Sequence, residues 1–123
     1  MANPLEFVPL ETYVTNLGEK FNSVNQAKIQ KGLERLDYNP LHGDMMQGPI
    51  IIAGKPVYGL RHIKIGVQGS KGGAFILYRY CKECFNNGYA VKSKITCLFC
   101  DPSKPNRIIL FDVGLRGEGY KNK

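Results

Sequence analysis

The four cysteines of the chain fall in two C-x-x-C pairs, Cys81-Lys82-Glu83-Cys84 and Cys97-Leu98-Phe99-Cys100, with twelve residues between them. Each pair offers two thiolates from one turn of backbone, and together they make a four-sulfur shell. Such a shell suits Zn2+, a d¹⁰ ion without a geometric preference of its own that binds thiolate at about 2.3 Å. A closed shell of four thiolates keeps no position for a substrate or an activated water. The expected metal is therefore structural, held by Cys81, Cys84, Cys97 and Cys100. Two disulfides or a redox pair compete with this reading. The opening Met1-Ala2-Asn3-Pro4 has neither the basic stretch nor the apolar core of a signal peptide, which implies a reducing cytoplasm where structural disulfides are disfavoured. A thioredoxin-like role would need a single C-x-x-C opening a helix after a strand, and here there are two pairs.

Charge is the second chemical signal. The 123 residues carry a net +7, but residues 1–53 hold four Lys and Arg against six Asp and Glu, while residues 54–123 hold thirteen against four. The first part is thus −2 and the second +9. That asymmetry predicts a polyanion-binding surface in the second part, with nucleic acid the default partner. An acidic protein would use the same face. The apolar runs are far shorter than the roughly 18 residues that cross a bilayer, so no membrane partner is expected. At 43% hydrophobic composition the chain is expected to form one domain with its own core.

The elements that must position these groups come in two textures. Leu10, Val14 and Leu17 repeat at helical spacing after Pro9, with Gly18 as a stop. Ser23-Val24-Asn25-Gln26 has the form of a capping box, Ile29, Leu33 and Leu36 make one stripe, and Pro40 forbids continuation. Lys28, Lys31 and Arg35 lie on other sides of this helix. They read as a solvated face that could also touch a phosphate backbone. Residues 41–48 read as a loop, 50–52 as a strand, 57–67 as a partly alternating strand, 74–80 as an aromatic-rich strand and 107–113 as the last strand. Gly69-Ser70-Lys71-Gly72-Gly73 lacks the Gly-Lys-Ser/Thr leading into a helix of a phosphate loop, and reads as a hairpin turn whose Lys71 can still meet a phosphate. Two N-terminal helices packed on a small antiparallel β-sheet is an α+β order, with the cysteine cassette inserted before the last strand.

Three runs carry a family resemblance: Leu60-Arg61-His62-Ile63-Lys64-Ile65-Gly66, then Gly72-Gly73-Ala74-Phe75-Ile76-Leu77-Tyr78, then Ile108-Ile109-Leu110-Phe111-Asp112-Val113-Gly114. Together they resemble the sheet of the RelE/HigB/ParE toxin superfamily, in which an L-R-x-x-R/K-I-G strand leads through a Gly-rich turn into G-G-x-R-V-I-Y. Residues 81–105 would then be an insertion of about 25 residues, longer than ordinary hairpin loops. The resemblance implies a toxin of a type II toxin–antitoxin pair that cleaves mRNA in association with the ribosome and is covered by a cognate antitoxin. Cleavage of this kind sends the ribose 2′-hydroxyl onto the adjacent phosphate, and needs a base, an acid and cations around the phosphorane.

By position, the resemblance puts Lys64 at the scissile phosphate and His62 where a second Lys is common. The two are expected on one face of a strand because they are two apart. Imidazole titrates near neutrality and suits a general base. Arg116 and Tyr120 match a C-terminal Arg and Tyr. Two positions depart from the pattern: Phe75 stands where many members have a phosphate-holding Arg, and Leu115 where many have a Lys. Arg79, Lys82 and Lys92 are the candidates to replace them, with Lys94 adding to the RNA-facing surface. If nothing replaces them, the same scaffold reads as a non-enzymatic nucleic-acid-binding module with Phe85, Tyr89 and Phe99 near the knuckles. A ParE-like inhibitor of gyrase is a further class on the same fold.

Overall fold

The computed structural model describes residues 5–46, 50–52, 54–57, 59–69, 73–87 and 106–115. In order these form β1 (Glu6–Pro9), α1 (Glu11–Lys20), α2 (Ser23–Gly32), α3 (Glu34–Tyr38), β2 (Asp44–Met45), β3 (Ile50–Ile52), β4 (Lys55–Val57), β5 (Arg61–Ile65), β6 (Ala74–Tyr80), α4 (Cys81–Asn87) and β7 (Arg107–Leu115). The main sheet has the order β1-β7-β6-β5-β2, and β3 and β4 make a separate two-stranded hairpin. The class is α+β. The expected purely antiparallel sheet behind two leading helices is corrected in two ways: a strand comes first, and it runs parallel to β7, with Glu6 beside Arg107 and Pro9 beside Leu110. Pro9 ends this strand instead of opening a helix. An edge position tolerates its missing N–H, and the next donor, Leu10 N–H, bonds to Leu110 O at 3.0 Å.

The second predicted helix keeps its apolar stripe at Ile29 and Leu36, whereas the first turns Tyr13 and not Val14 to the core. Helix α1 runs through Gly18 to Lys20, and Tyr13 is its buried residue, while Val14 is 54% exposed. Asn22, not Ser23, caps α2: its side chain accepts from Asn25 N–H, and the Gln26 amide donates back to Phe21 O at 2.8 Å. Asn25 then clamps the β5–β6 turn, donating to Gln68 O and accepting from Gln68 N–H at 3.0 and 2.9 Å. The stripe of Ile29 and Leu36 is fully buried, with a break at Leu33 that separates α2 from α3.

Both faces of the sheet are covered. On the helix side Tyr13, Ile29 and Leu36 meet Ile63, Ile65, Ile76, Tyr78, Ile108 and Val113. On the other side Ile50, Leu60, Phe75, Leu77, Ile109 and Phe111 pack with Cys81 and Cys84. Strand β6, between β5 and β7, is buried along all but its last residue. Fully burying one aliphatic side chain contributes about 1.5–3 kcal/mol, so this strand anchors the domain.

Candidate functional site

Alternation along β5 sends Ile63 and Ile65 into the helix-side core and leaves His62 half-buried and Lys64 exposed. Strand β2 pairs only with Arg61 and His62. Beyond it the edge of β5 is met by α3 instead, where Arg35 Nη1 donates to Lys64 O at 3.1 Å. The step between β2 and α3 is an open groove of about 200 Å³ lined by Arg35, His42, Gly43, Asp44, His62, Ile63 and Lys64. The two residues predicted from β5, His62 and Lys64, thus face one space. They share it with a second imidazole, a guanidinium and a carboxylate that sequence reasoning had not assigned to it. Arg35 also borders a second groove of about 340 Å³, between α2, α3 and the end of β5.

The loop that carries His42 is fixed from below. The Tyr78 hydroxyl donates to Pro40 O and accepts from Gly43 N–H, both at 2.9 Å. Burial pushes the Tyr78 pKa up to about 12; the Gly43 N–H and the Arg61 charge oppose this, and Glu83 and Asp44 add to it. The phenol therefore keeps its proton, and its donor role, through the neutral range. Gly43 is required there: a Cβ would stand 2.5 Å from His62 O and 2.8 Å from the Tyr78 hydroxyl. Arg61 completes the support, donating to Gly43 O at 2.7 Å and side-on to Glu83 through Nε at 2.9 Å and Nη2 at 2.6 Å. Two parallel N–H bonds to one carboxylate make a geometrically specific pair. Glu83 lies between Cys81 and Cys84, so the start of the cysteine cassette is tied to the His42 loop.

Of the other predicted residues, Lys82 is exposed on α4. Arg79 differs from its expected place at the surface: its relative exposure is 0%, and its guanidinium lies 5.6 Å over the Phe111 ring. Phe75 is likewise buried, and Leu115 is half-buried. Arg116, Tyr120, Lys71, Lys92, Lys94, Cys97 and Cys100 lie outside the described residues, as do the aromatics Tyr89 and Phe99.

Cys81 and Cys84 are both fully buried, one helical turn apart at the start of α4 and directly after β6. Two buried sulfurs at this spacing fit one half of a thiolate shell for a borderline-soft cation. A C-x-x-C that opens a helix after a strand is also the local setting of a redox pair. Burial weighs against that role, since thiol–disulfide exchange needs a thiolate to reach a sulfur. Among the described residues no group of three or more His, Cys, Asp or Glu comes together as a metal site.

No protein-family model matches the chain and no curated protein is significantly similar to it. Among the described residues no helix is long and apolar enough to cross a membrane.

His42 and Asp44 escaped sequence reasoning because they lie in a stretch that reads as loop, and their relation to His62 is made by a two-residue strand too short to leave a periodic signal. One signal was present: His42 and His62 are the only two histidines in the chain.

Proposed function

We propose that the chain is the toxin of a type II toxin–antitoxin pair, a cytoplasmic mRNA endoribonuclease that works on translated messages at the ribosome. The observation that carries this reading is the shared groove of His42, His62, Lys64 and Arg35 at the open edge of β5. Cleavage by an internal 2′-hydroxyl needs one group to take the 2′ proton and another to protonate the departing 5′-oxygen, and two imidazoles on one groove supply both kinds. The proton taken from O2′ goes to one imidazole. The O2′–P bond forms as the P–O5′ bond breaks, and the other imidazole, in its protonated form, delivers the proton to O5′. Lys64 and Arg35 offset the charge on the phosphorane oxygens. Asp44, opposite His62 in the β2–β5 register, adds a carboxylate to the same groove.

Zinc, when bound, would supply rigidity and no chemistry, because four thiolates close its shell. Its holders would be Cys81 and Cys84 with Cys97 and Cys100. The antitoxin of this reading covers the same cationic edge. A second reading, binding without cleavage, is favoured by one observation: Phe75 and Arg79, at and near the position of the family's phosphate-holding Arg, are both buried.

The deciding experiment expresses the chain alone in cells and maps new mRNA 5′ ends alongside growth, for the wild type, Lys64→Ala, His42→Gln and His62→Gln. The nuclease reading expects arrest with new cuts in translated messages, and cleavage reduced by about 10²–10⁴-fold in each histidine variant. Arrest without cuts would move the assignment to a gyrase-type target, and no arrest would move it to a binding module.

A further inference from the structure

The second groove shares only Arg35 with the catalytic chemistry. Lys28, Lys31 and Arg35 line it, against the single carboxylate of Glu34, over a floor of Gly32, Ile65 and Gly66. Gly32 makes that floor: a Cβ there would collide with the Ile65 side chain. Lys28, Lys31, Arg35 and Tyr38 are spaced three, four and three apart, which is one face of a helix. Only the single break at Leu33 interrupts the run from α2 into α3. Tyr38, at its far end, is 96% exposed, the most open large apolar side chain among the described residues.

A row of cations that ends on an open aromatic ring has a specific use. The cations hold successive phosphates, and the ring takes the face of an unstacked base. A duplex offers no such base, since its bases are stacked within the helix. An acidic peptide would engage the cations but gives no reason for the ring. We propose that Lys28, Lys31, Arg35 and Tyr38 form a track for single-stranded RNA. At about 1.5 Å of helical rise per residue, Lys28 to Lys31 on α2 and Arg35 to Tyr38 on α3 each advance about 4.5 Å along their helix. Arg35, bonded to Lys64 O and bordering both grooves, joins the track to the edge that carries His62 and Lys64. That the track delivers a strand to be cut rests on the nuclease reading; that it binds single-stranded RNA does not.

The test measures anisotropy of a labelled 2′-O-methyl RNA of about 12 nucleotides, which has no free 2′-hydroxyl to attack, against salt concentration. Lys28→Gln with Lys31→Gln should weaken binding and reduce the slope of log affinity against log salt by about 1.4, or about 0.7 per lost phosphate contact. Tyr38→Ala should weaken it roughly tenfold at an unchanged slope, and Tyr38→Phe should restore it. All three positions are exposed, so the melting temperature should stay at the wild-type value and show that the fold is kept. A silent Tyr38→Ala, an unchanged slope in the double variant, or equal competition by duplex RNA or a polyglutamate peptide would each overturn the track. Loss of cuts in Lys64→Ala tests the nuclease reading separately, and failure there leaves the affinity result to decide the track.

Discussion

Arg35 and Arg79 are the same residue type in opposite situations. Arg35 comes from the part of the chain with a net charge of −2, and it is exposed between two grooves. Arg79 comes from the part with +9, and it is buried over Phe111 in the middle of the sheet. Charge density along the chain therefore does not locate the cations that meet solvent. Topology does. Strand β6 has a neighbouring strand on each side and a packed layer on each face, so whatever its side chains are, they lie inside. The α2–α3 ridge has one face on the core and the rest in water, so its basic residues reach the surface although residues 1–53 as a whole carry a net charge of −2.

The strongest way to break this comparison is to truncate both arginines. Arg79→Ala removes a large buried side chain and its contact with the Phe111 face, and should cost about 3 kcal/mol in urea unfolding. Arg35→Ala should change stability by less than about 0.5 kcal/mol and lower RNA affinity instead. Equal stability losses at the two sites would erase the distinction.

Tyr78→Phe sharpens it at intermediate size. Loss of the hydroxyl strips a partner from the Gly43 N–H and the Pro40 carbonyl and should cost about 1–3 kcal/mol, with the His42 resonance shifting in an NMR spectrum. The phenols of Tyr13 and Tyr78 are both pushed up to about 12 by burial. The unfolded chain releases these protons near pH 10 and the folded chain does not. Stability should hold up to about pH 10 and decline as pH rises from there toward about 12, less steeply in Tyr78→Phe.

The smallest effect belongs to Asp112. Burial raises its pKa, opposed by the Asn16 amide at 2.6 Å, the Val113 N–H and the Lys20 charge. A carboxyl raised in the folded state favours folding most when protonated, so its ionisation lowers stability as pH rises through the folded value. Asp112→Asn should be slightly more stable than wild type at neutral pH, and the gap should close as pH falls to the ordinary carboxylate range. A gap that widens in acid would show that the Lys20 charge outweighs burial.

Long, strongly patterned elements were legible in the sequence. Residues 74–80 read as a strand and are one, and Pro40 stops the second helix where its chemistry requires. His62 and Lys64 were placed together by simple alternation. What escaped depends on contacts between distant residues. Strand β1 is four residues with a proline at its end, and only its pairing with β7 makes it a strand. The capping signal at Ser23 was displaced by one residue because Asn22 offers an equally good side-chain acceptor. His42 gained its place through Tyr78 and Gly43, neither of which carries a sequence signature of that role. The burial of Arg79 follows from the position of β6 between two strands, which no local pattern encodes.

The pairing of β1 with β7 sets the order in which the sheet can be completed. Glu6 finds its neighbour in Arg107, so this contact closes a loop of nearly the whole described chain and comes at a high entropic cost. The β5–β6 hairpin, clamped to α2 through Asn25 and Gln68, needs only local closure. On a chain emerging residue by residue, the helices and this hairpin can assemble early, while β1 stays an unpaired edge and the layer over β6 remains open until β7 is made. Before that point the groove of His62 and Lys64 rests on an incomplete core. The arrangement of that groove is thereby deferred until β7 is in place.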